Sequence, residues 1–111
     1  MKYNYYIIRP EISCYAPSSL HYQQEKNQLF IGPHFRLCGI GAQAYLVSRE
    51  LAERTREALL PRFQKRYGND TDIIIEEWEA TNERVLKAIE RDSAIVQERL
   101  DKGCLAPNKK P

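Results

Sequence analysis

Residues 35 to 46, FRLCGIGAQAYL, combine a short apolar run, two glycines one residue apart, and small residues that read as the opening of a helix. Gly39, Gly41 and Ala44 match the G-x-G-x-x-G/A spacing by which nucleotide-binding proteins turn sharply and seat a phosphate on a helix N-terminus. A dinucleotide site also needs a carboxylate about 20 residues further on, inside a βαβ unit. Phe63 and Gln64 stand there instead, Asp70 and Asp72 come late, and the chain has too few strands for a doubly wound sheet. The glycines therefore read as a tight corner, and no cofactor is expected. What remains is a weaker chemistry: a small, nucleotide-like anion held by the free N–H groups of a helix start near Gly41, with Arg36 beside it.

A second cationic group lies downstream. Arg54, Arg56, Arg62, Lys65 and Arg66 fall within fifteen residues, interleaved with Phe63 and Tyr67. Basic groups beside aromatic rings can grip and stack on a single strand of nucleic acid. The plainer reading is a solvated helix face. Residues 44–67 carry six basic and three acidic groups and residues 72–102 nine acidic and five basic, so two oppositely charged helices could lie against each other or against a sister subunit.

Other chemistries fare less well. His34 and Cys38, with His21 and Cys14 upstream, could be assembled into a zinc set, but they match no knuckle spacing, and no metal is expected. A Cys–His nucleophile would lack an orienting third group. Glu76, Glu77 and Glu79 read as a solvated face. No catalytic constellation emerges. Five of the seven tyrosines lie in the first 22 residues, suiting either a half-buried sheet or a partner-binding face.

The 111 residues suit one domain, and 42% hydrophobic with 29% charged residues exclude global disorder. No run reaches the roughly 18 apolar residues of a membrane span. Arg9 and its polar neighbours interrupt any signal peptide, and three widely spaced cysteines suit reduced thiols, so a cytoplasmic protein is expected.

The framework for these groups is read from periodicity. YNYYIIR, residues 3–9, has strand composition and apolar residues on both faces, so it predicts a strand covered on each side. ISCY predicts a second strand, residues 18–28 a loop, and QLFI with HFRLC a strand pair or one bent strand split at Gly32-Pro33. From residue 42 the period becomes helical, with Ala44, Val47, Leu51, Thr55, Ala58 and Leu59 on one face. Pro61 should kink or end that helix, and Gly68 should cap the short helical turn beyond the proline. Farther on, Ile74, Val85 and Val96 are spaced by eleven, as are Trp78, Ile89 and Leu100. That spacing predicts one straight helix over about 72–102, stopped by Gly103, with Leu105 folding back on it. The competing reading makes DIIIEEW a strand.

The expected fold is α+β: an N-terminal antiparallel sheet of three to four short strands (residues 1–40), then two long antiparallel helices (42–103), in a single domain over 1–105 with a flexible tail at 106–111. A helix of that length would overhang its own core, so Trp78, Val85, Ile89, Val96 and Leu100 are expected to form a homo-oligomer interface. The expected function is a small non-enzymatic binding or adaptor protein with a protein partner. The alternatives are a nucleic-acid-binding regulator using residues 54–67 and a binder of a small anion near Gly41.

Overall fold

The computed structural model describes residues 2–14 and 16–103. In chain order these residues form β1 (Tyr3–Glu11), α1 (Ser18–Glu25), β2 (Phe30–Ile31), β3 (Leu37–Cys38), α2 (Arg49–Tyr67), β4 (Asp72–Ala80) and α3 (Glu83–Asp101). The class is α+β. Its sheets are two antiparallel pairs, β1 with β4 and β2 with β3, not one N-terminal sheet of three to four strands.

The largest departure from expectation is the segment 72–102, which is not one helix. Asp72–Ala80 pairs antiparallel with β1 over its whole length, from Tyr3 opposite Ala80 to Glu11 opposite Asp72. Asn82 then starts α3, its side-chain oxygen accepting from the Arg84 N–H at 2.9 Å. The 19 residues of α3 make a helix roughly 28 Å long, so the overhang argued for an oligomer disappears. Ile89 and Val96 are buried in the chain's own core, with Trp78, Val85 and Leu100 packed half-buried around it.

Strand β1 is covered on both sides, as its sequence predicts. Tyr5 and Ile7 pack with Phe30, Trp78 and Ile89, while Tyr6 and Ile8 pack with Leu46, Leu59, Ile73 and Val96. Complete burial of Ile7 and Ile8 stabilises the fold by about 1.5 to 3 kcal/mol each. The predicted strand pair after residue 28 is β2 and β3. ISCY, by contrast, adds no strand among the described residues, and Ser18–Glu25 is a helix rather than a loop. That helix buries none of its residues fully. It is held by Leu20 against Ile12, Ala16 and Leu29, and by Gln24, whose side chain accepts from the Ile12 N–H.

The second helix also starts later than expected, at Arg49 rather than 42. Ser48 supplies its N-cap, accepting from the Leu51 N–H at 3.2 Å. It runs unbroken through Pro61 to Gly68, whose φ of 117° is one that glycine adopts easily. Proline deprives the Glu57 carbonyl of its helical donor. Glu57 is exposed, so water can supply the missing bond.

Residues 44–47, displaced from the helix, are stitched on two sides. Leu46 exchanges two backbone hydrogen bonds with Tyr6, and the Ala44 N–H donates to the Ile31 carbonyl at 3.1 Å. From α3, Asp92 accepts from the Tyr45 N–H at 3.1 Å, and Ser93 Oγ accepts from the Val47 N–H at 2.9 Å while donating to the Tyr45 carbonyl. Two polar residues in an apolar stripe thus stand in for a neighbouring strand. Among the described residues, no helix is long and apolar enough to cross a membrane. Leu105 and the tail at 106–111 lie outside the described residues.

Candidate functional site

The site begins with a turn that an L-residue adopts reluctantly. Between β2 and β3 the chain reverses over Pro33, His34 and Phe35, closed by the Gly32 N–H to the Arg36 carbonyl at 2.9 Å and the Phe35 N–H to the Gly32 carbonyl at 2.9 Å. Phe35 has φ of 66°, in the left-handed position that three-residue hairpin loops usually give to glycine. Such strain costs about 1 to 3 kcal/mol. Burying the Phe35 ring in the main core contributes a similar amount, about 1.5 to 3 kcal/mol. The buried ring fixes the loop, and the loop carries His34 and Arg36 out on either side of it.

Facing this turn are α2 and the last turns of α3. Arg62 and Arg66 are one helical turn apart on α2, as are Phe63 and Tyr67. Arg99 comes from α3. Together with His34, Phe35, Arg36 and Leu37 they line an open cleft of about 670 Å3. Its floor is apolar, with Phe63 and Tyr67 edge-to-face at 5.5 Å between centroids. Its rim is cationic. The Arg66 guanidinium lies 5.8 Å above the Tyr67 ring and that of Arg99 5.8 Å above Phe35. Arg99 also donates to His34 Nδ1 at 3.1 Å, which requires that nitrogen to be unprotonated. Among the described residues, none of the four arginines has a carboxylate partner in an ion pair, and no acidic side chain lines the cleft.

The structure thus divides the cations singled out in sequence. Arg36, Arg62, Arg66 and the Tyr67 ring come together. Lys65 is exposed outside the cleft lining. Arg54 pairs with Asp101 at 2.7 Å, and this bond, with a second from Gln97, holds the Asp101 carboxyl below its usual range. Arg56 pairs with Asp72 at 2.6 Å and donates to the Ile73 carbonyl. Both guanidinium charges are thus already answered by carboxylates.

The glycine corner is corrected more sharply. Gly39 and Gly41 sit in an exposed turn after β3, with α2 starting eight residues beyond Gly41. There is no helix N-terminus at Gly41 to hold an anion, and Arg36 turns to the cleft. Gly41 has φ of 95° and open space where a Cβ would be, so glycine is needed there for its conformation and not for packing. The close backbone approach is at Gly32, where a Cβ would lie 3.3 Å from the Ala42 carbonyl oxygen. Sequence reasoning assigns His34 and Arg99 no part in this site, since Arg99 reads only as a complement to a helix C-terminus. The signal for His34 would have been the Gly-Pro turn, which marks a loop tip, whereas nothing local to Arg99 marks it.

Cys38, half-buried in β3, has its thiol pushed up to about 11 by burial. At pH 8 only about one part in a thousand is thiolate, the reactive form. With iodoacetamide at pH 8, exposed Cys14 should be labelled well before Cys38, whose rate should climb steeply toward pH 10. Equal rates in a peptide map would contradict this environment.

Comparison with known proteins finds no family model, no curated protein and no solved structure that matches this chain.

Proposed function

We propose that this chain is a non-enzymatic binding protein that holds single-stranded nucleic acid in the Arg36–Arg62–Arg66–Arg99 cleft. The observation that carries the reading is the convergence of four guanidinium groups, from a hairpin turn and two helices, over an aromatic floor and away from any carboxylate partner among the described residues. Guanidinium forks match phosphate oxygens, and the half-buried Tyr67 ring offers a base an aromatic surface in the cleft. The cleft is open, as a ligand continuing past both ends requires. The reading unites the two anion-binding expectations: Arg36 from one and Arg62 with Arg66 from the other serve one site.

Anisotropy of a labelled twelve-residue single-stranded oligonucleotide tests it. Three or four phosphate contacts predict that log affinity falls with log salt at a slope of about −2 to −3. Hydrogen bonds to charged groups contribute about 1.5 to 3 kcal/mol, so R36A, R62A and R66A should each weaken binding about tenfold or more. R54A should not. Binding of inorganic polyphosphate without the oligonucleotide would move the reading to a smaller anion, and no binding of either at low salt would end it.

A further inference from the structure

The hydrogen-bond parity of the long sheet fixes where β4 points its spare backbone groups. Tyr6 gives both of its backbone bonds to Leu46, at 2.8 and 2.9 Å, on the side away from β4. Its cross-strand partner, Glu77, therefore belongs to a non-hydrogen-bonded pair and aims its own N–H and carbonyl outward. Ile73 agrees: it lies opposite Pro10, its N–H donates to Asp72 Oδ1 at 2.8 Å, and its carbonyl accepts from Arg56 at 2.7 Å. Ile75 and Glu79 share that parity. Side chains cap the outward groups only at Ile73, and among the described residues no partner is found for those of Ile75, Glu77 and Glu79.

This open edge has two unlike sides. On the α2 side, Glu77 and Glu79 project beside a groove of about 500 Å3 between Ile75 and the helix, whose lining holds two acidic residues, Glu53 and Glu57, and two basic ones, Arg49 and Arg56. On the other side Ile74 is 38% exposed and Trp78 half-buried, and Glu76 between them is already taken up by Arg9 and by the Trp78 Nε1–H, leaving the two apolar side chains to meet a partner. We propose that the Ile75–Glu79 edge of β4 receives an extended segment of a partner protein as an added strand, basic on the α2 side and apolar on the other. Backbone bonds to three outward positions would supply affinity, and the alternating side chains selectivity. A second copy of β4 fits poorly, because antiparallel self-pairing centred on Glu77 sets that carboxylate opposite its own counterpart with each Glu79 diagonal to it, and opposed like charges destabilise a sheet.

Amide exchange followed by NMR tests both steps, with a seven-residue peptide alternating lysine and valine as probe. In the free protein, the amides of Ile75, Glu77 and Glu79 should exchange fast while those of Ile74, Glu76 and Trp78 are protected. Saturating peptide should slow the first three at least tenfold, and a glutamate–valine peptide should not. E77K combined with E79K should exchange that preference, and E77P, which removes one outward N–H, should lose the peptide while Ile74 and Trp78 stay protected. Protection of the edge in the free protein overturns the proposal, by an internal cover at a mass near 13 kDa or by a second copy at twice that mass. So does equal or absent protection by the two peptides. Oligonucleotide binding at the cleft is untouched by any of these outcomes.

Discussion

Val96→Asp is expected to unfold the protein. Val96 has no exposed surface and sits on α3 among Ile8, Leu46, Leu59 and Ile73. A carboxylate there would lose its hydration with no cation or donor to replace it. It must either stay charged at a cost of several kcal/mol or take up a proton and still leave an unmet polar group. The destabilisation should exceed about 4 kcal/mol, against a total of roughly 5 to 15 kcal/mol for a domain. Leu86, on the same helix and 43% exposed, is the matched control. L86D should change the urea midpoint little, whereas V96D should show no cooperative transition. A folded V96D with a native-like midpoint would mean that α3 does not pack as described.

Asp92→Ala is expected to cost about 2 to 4 kcal/mol, and here the substituted group is polar. Asp92 is 2% exposed. Its carboxylate is the acceptor for the Tyr45 N–H, a donor within a segment that has no strand on that side. Truncation leaves that N–H unmet and opens a cavity beside it. The ion pair with Arg91 adds little, since that side chain is 68% exposed. D92N keeps an acceptor oxygen and should recover most of the loss. Thermal melts decide it: D92A should fall by about 10 to 20 °C, and equal melting of D92A and wild type would show that Tyr6, Ile31 and Ser93 hold residues 44–47 without it.

These two residues also show what was legible in the sequence. The eleven-residue spacing is real from Val85 onward, where α3 presents Val85, Ile89, Val96 and Leu100 inward. It extends falsely across Ile74 and Trp78 because their separation of four is even, so a strand also puts them on one side. Ile73 and Ile75 are the discriminating residues: off the stripe in a helix, they form the second apolar side of a strand. The polar residues set between those apolar positions hold more information than the spacing itself. Asn82 marks the start of α3, and Asp92 with Ser93 marks buried hydrogen bonding to a segment nearly fifty residues away. That second role is invisible locally, because nothing near Tyr45 in sequence announces an unpaired N–H.

The cleft is half legible for a similar reason. The aromatic–basic interleaving at 62–67 is local and can be read directly. The division of its cations cannot, since Asp101 and Asp72, which take Arg54 and Arg56, approach only in the folded chain. Gly39 and Gly41 stand out by spacing, yet the useful turn is the one before them, where Gly32 and Pro33 place His34 and Arg36.

On the proposed function, Arg36, Arg62, Arg66 and Arg99 act as one anion site. Side-chain NMR of the arginine Nε–Hε groups during titration with a single-stranded oligonucleotide tests it most directly. The signals of Arg36, Arg62, Arg66 and Arg99 should move together along one binding curve, with Arg54 and Arg56 still. Shifts spread evenly over every arginine, or no shift in the four, would contradict it.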